Sequence, residues 1–156
     1  TVILAVSDIT KENVNELSSV LRSGGIDATL FLEGRMLSGG IDQKQLMTLI
    51  ANGHDLQTAG HTGDDLRSLT NAQVELELSQ SKQLLEQITK KKVISVAYPL
   101  GGVNDRIARK AGEVGYLLGL SLAPDTRFER TQLLRMPSFV IKASTSSDDL
   151  LSLVSQ

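Results

Sequence analysis

The chain has 156 residues, 40% of them apolar and 22% charged, which suits one globular domain and excludes a disordered or collagen-like chain. Sixteen bases against 18 acids leave a formal charge of −2, which argues against general affinity for nucleic acid. No apolar run approaches the ~20 residues that span a bilayer, and the absence of cysteine removes disulfides, iron–sulfur clusters, thiolate zinc and thiol catalysis together.

Residues 2–6 are a continuous apolar run, as expected of a strand buried on both faces. Thr1 opens directly into that run with no charged leader before it, as a mature domain would. Polar residues 7–10 follow its end. Val14, Leu17 and Leu21 recur at helical spacing, and Gly24-Gly25 supply the stop. Residues 28–32 read as a second strand, and Leu46, Leu49 and Ile50 mark a helix closing at Gly53. Residues 54–58 form a short third strand before a polar loop through Asp65.

Thr70 and Gln73 have the spacing of a capping box, and the helix behind them carries Val74, Leu78, Leu85 and Ile88 on one face. Residues 93–97 are another β-branched run. Pro99, Gly101 and Gly102 then force a loop. Ile107, Ala108, Ala111 and Val114 give a helix that ends at Gly115; residues 116–122 and 139–141 read as later strands, and 148–154 as a terminal helix. Strand and helix alternate without linker or repeat. The expectation is one α/β domain over residues 1–156, with 2–6, 27–32 and 93–97 as neighbours in a mainly parallel sheet, smaller than a complete eight-stranded barrel. In such a fold, the site lies where strands end and loops begin.

Three loops fall there. Ser7 and Asp8 follow the first strand. The second loop runs from His54 through His61-Thr62-Gly63-Asp64-Asp65. Ala97-Tyr98-Pro99-Leu100-Gly101-Gly102-Val103-Asn104 make the third, and a Gly115-Tyr116 pair follows the next helix. With Gly25-Ile26-Asp27-Ala28-Thr29-Leu30-Phe31 between the first two, these motifs resemble the polysaccharide deacetylase family, carbohydrate esterases with a NodB-homology domain, in order and spacing along the whole chain.

The resemblance implies a distorted, incomplete (β/α) barrel of mainly parallel strands. It implies metal-dependent hydrolysis of N-acetyl groups on a GlcNAc-type polysaccharide, in a protein that is exported or held at the cell envelope, with flanking domains in a longer chain. It places a metal ligand at Asp8 and the general base at Ser7. Two histidines in the second loop would complete the metal set, and Tyr98, Pro99, Leu100 and Gly101 would line the substrate groove. The metal would polarise the amide carbonyl and acidify its water; a base would take the proton and an acid would protonate the departing amine.

The sequence departs from that pattern. Ser7 cannot accept a proton as a carboxylate does. Aligned without gaps from Gly53, the two metal histidines become Ala59 and Gly63; with a two-residue shift, His61 matches the first and Asp65 replaces the second. Asp8, His61 and Asp65, two carboxylates and one imidazole, would then suit Zn, Mn or Fe, or another divalent metal held mainly by oxygen. No histidine follows His61, so the family's general acid is absent. Local chemistry keeps other readings open: Asp8 as an Asx turn or helix cap, Asp64 or Asp65 as a cap for the helix at Leu66, and His54 as structural. The function is then either a divergent deacetylase or a catalytically silent glycan-binding or structural domain.

Overall fold

A computed structural model describes residues 5–7, 9–122 and 130–138. Among the described residues, six strands form one sheet in sequential order: β1 (Ala5–Val6), β2 (Thr29–Leu32), β3 (Asp55–Thr58), β4 (Ser95–Ala97), β5 (Leu118–Ser121) and β6 (Met136–Pro137). Every pairing is parallel. The expected incomplete (β/α) barrel is the fold observed. One expectation needs correction. The segments at 27–32 and 93–97 share the sheet but are not neighbours, because β3 lies between them. The expected strand at 139–141 and helix at 148–154 lie outside the described residues, as does most of the first apolar run.

The helices are α1 (Val14–Ser23), α2 (Gly34–Leu37), α3 (Gln43–Ala51), α4 (Asn71–Thr89) and α5 (Asp105–Val114). Each long helix buries one stripe, as parallel strands covered by crossover helices require. In α4 this stripe is Val74, Leu78 and Leu85, all fully buried; in α5 it is Ile107 and Ala111. The expected capping box forms, with the Thr70 N–H donating to Gln73 Oε1 at 2.9 Å. A second box, Asp42 with Gln45, opens α3.

Polar side chains also tie the layers together. Gln57 on β3 is buried, and its Oε1 accepts the backbone N–H groups of Ile94 and Ser95, each at 2.8 Å. The Tyr116 hydroxyl donates to Leu78 O at 3.0 Å and lies 2.7 Å from Thr58 Oγ1, joining β3, α4 and the start of β5. Burial raises the pKa of that phenol. Among the described residues, no helix is long and apolar enough to cross a membrane.

Candidate functional site

With every pairing parallel, the loops after β1, β3 and β4 leave from the same C-terminal rim of the sheet, where parallel α/β folds gather their sites. Ser7 is exposed at the end of β1. Asp8 lies outside the described residues. Ile9 is buried, and α1 begins at Val14, later than a cap before Lys11 would imply, behind an exchange between Thr10 and Asn13.

After β3, Ala59 donates its N–H to Leu32 O, and the chain turns at Gly60, whose φ is +76°. Gly60 and His61 then accept from the backbone N–H groups of Gly34 and Arg35, each at 2.9 Å. The loop is therefore pinned to α2. The His61 ring packs on Gly34 so closely that a Cβ there would collide with Nδ1. That Nδ1 is buried and, among the described residues, has no hydrogen-bond partner. Both nitrogens of His54, which is 2% exposed just before β3, are in the same state.

Asp65 serves as a cap. Its Oδ1 accepts the N–H of Arg67 at 3.0 Å, opening the 3₁₀ turn Leu66–Ser68. The Arg67 guanidinium closes on the same carboxylate, with Nη2 2.6 Å from Oδ2 and Nε 2.9 Å from Oδ1. Those hydrogen bonds hold the Asp65 carboxyl below its ordinary range and raise the guanidinium in turn. The pair leans on the third loop: a Cβ on Gly102 would lie 2.7 Å from both Arg67 Nε and Asp65 Oδ1.

In that third loop, Tyr98 and Pro99 are buried while Leu100 stands 74% exposed at φ +53°, a left-handed conformation that side chains rarely adopt. The Tyr98 hydroxyl donates to Leu134 O at 2.8 Å, and burial raises its pKa. Gly101, at φ +67°, packs on Leu122. Of the four expected groove residues, Leu100 is the one fully presented to solvent.

Sequence reading missed Glu77. It sits on the buried stripe of α4 between Val74 and Leu78, and its Oε2 accepts the N–H groups of His61 and Thr62. The signal was available: an acid in register with an apolar stripe demands a partner.

Of the three expected metal donors, His61 and Asp65 lie among the described residues and Asp8 does not. One His61 nitrogen is buried against backbone, and both Asp65 oxygens are held by Arg67. Among the described residues, no three His, Asp or Glu side chains converge as metal ligands. In the ungapped alignment the histidine positions are Ala59 and Gly63. Gly63 has φ +87°, and a Cβ there would lie 2.7 Å from Glu33 Oε1, so the backbone resists a side chain at that point. Glu33 is itself paired with Arg35 at 2.5 Å.

Comparison with known proteins agrees with the architecture. The polysaccharide deacetylase family model matches residues 1–119. YxkH of Bacillus subtilis (strain 168), which carries the name of a polysaccharide deacetylase, is 25% identical over 127 residues; the alignment covers 79% of this chain and 45% of YxkH, so the chain spans about half of that relative. The deacetylase PplD of Streptococcus pyogenes, solved with acetate, superposes with a TM-score of 0.85 at 22% identity, over 96% of this chain and 68% of PplD. BA3943 of Bacillus anthracis, a CE4 family pseudoenzyme, gives 0.67 at 19% identity, over 73% of this chain and 40% of its own.

Proposed function

Because the chain belongs to the polysaccharide deacetylase family, we propose that it is a divergent deacetylase-like domain that binds GlcNAc-type cell-surface polysaccharide and has lost most or all of its amide hydrolysis. The observation that carries this reading is the Asp65–Arg67 pair. A carboxylate capped and neutralised by its own neighbour is poorly placed to charge a metal site. Ser7 in the base position and the lack of a later histidine point the same way, since general base and general acid each supply about 10²–10⁴-fold. BA3943 shows that a chain of this fold can be a pseudoenzyme. The family and the cysteine-free composition support an exported or envelope location.

The test is calorimetric titration with an N-acetylated chitooligosaccharide, once with a chelator and once with Zn²⁺ supplied, with acetate measured after each. Saturable binding without acetate supports the reading. Absence of binding, or metal-dependent turnover, overturns it.

A further inference from the structure

The opposite end of the sheet carries a second feature. A cleft of about 580 Å³ opens where α4 turns into β4 and α5 into β5, at the N-terminal ends of the strands and so across the sheet from the rim. Lys90, Lys91 and Lys92 line it, together with Ile94 and Leu117, which are 39% and 61% exposed. Lys82 and Glu86 also border it, but they are paired at 2.9 Å and cancel.

The three consecutive lysines therefore set its charge. All three are exposed, and none lies within ion-pair distance of a carboxylate among the described residues. Their turn is braced. Lys90, in a left-handed conformation at φ +57°, donates its N–H to Glu86 O; Val93 N–H donates to Glu86 Oε1 at 2.9 Å; and Lys82 Nζ donates to Val93 O. A rigid turn presents its charges at little ordering cost on binding.

We infer that this cleft is a binding site for a linear polyphosphate chain that carries no bases. Compact lysine ammonium groups suit phosphate oxygens as point charges. Among the described residues no aromatic side chain lines the cleft, so they offer bases nothing to stack on.

The experiment uses the whole chain and end-labelled linear inorganic polyphosphate, followed by fluorescence anisotropy. Binding should weaken with salt at a log–log slope near −2, from three contacts at about 0.7 each on the single-strand scale. Lys90→Gln/Lys91→Gln/Lys92→Gln should lose about a hundredfold, at roughly fivefold per lysine on the scale of bases at an anionic surface. Lys11→Gln/Lys44→Gln, on the other half of the chain, should bind as the wild type does. Equal binding by the triple variant overturns the inference, as does tighter binding to a single-stranded oligonucleotide of equal charge or to phosphatidylglycerol vesicles.

Discussion

Glu77 holds His61 by its backbone: Oε2 of the carboxylate accepts the His61 N–H at 2.9 Å, and the adjoining Thr62 N–H at the same distance. A helix residue 16 positions later in the chain thus fixes the loop that carries the family's second motif. Burying a carboxylate is costly unless its lone pairs are used. Here two backbone donors use one oxygen.

Removing that acceptor leaves two partly buried N–H groups without it. Glu77→Ala should destabilise the domain by about 2–3 kcal/mol, the scale of hydrogen bonds to a charged group. Glu77→Gln keeps a carbonyl acceptor and should cost about 1 kcal/mol. Urea unfolding of the two variants checks this, and an equal cost for both would contradict the claim that an acceptor at this position holds the loop.

Gly34 exists to admit the His61 ring. Gly34→Ala drives a methyl into Nδ1 and should cost roughly 1–3 kcal/mol, as overpacking does. Gly34→Ala/His61→Ala should recover most of that loss, so the two changes should be strongly non-additive. A double-mutant cycle by thermal unfolding reads the coupling; simple additivity would contradict the contact.

Much of the fold was legible in the sequence because each element states its own period. The stripe of Val74, Leu78 and Leu85 and the Thr70–Gln73 box gave α4 directly, and the β-branched run before Tyr98 gave β4. Strand order was less legible, since residues 55–58 form a short, partly polar strand, yet this strand separates β2 from β4. At the site, the two uses of Asp65 could not be told apart by spacing. What favours the cap is Arg67 two residues on, and a pair at i and i+2 is unremarkable until a 3₁₀ turn brings both to one face. Glu77 was missed for the converse reason. Its partners are backbone groups, which no motif records.

The Asp65–Arg67 pair has a pH signature. Hydrogen bonds from Arg67 lower the folded-state pKa of Asp65 from its ordinary 3.8, so the unfolded chain binds more protons in that range. The pair's contribution is present above 3.8 and is lost as pH falls through the depressed value. Arg67→Ala should return the Asp65 titration towards 3.8, seen by carboxyl-carbon NMR. The stability gap between variant and wild type should shrink below about pH 4. The gap itself should be small, because both side chains are exposed to solvent and salt. An unchanged Asp65 titration in the variant would contradict this.

On the proposed function, the deacetylase fold persists here around a site that has lost most or all of its amide hydrolysis. Acetate release from an N-acetylated chitooligosaccharide, with Zn²⁺ supplied, tests it most directly on the wild type and on Ser7→Asp in parallel. A restored base in an otherwise intact site would raise the rate by about 10²–10⁴-fold. The account predicts background acetate from both proteins, because the missing acid and the closed Asp65 carboxylate remain. Metal-dependent acetate release by the wild type, or a gain of that size in Ser7→Asp, would contradict it.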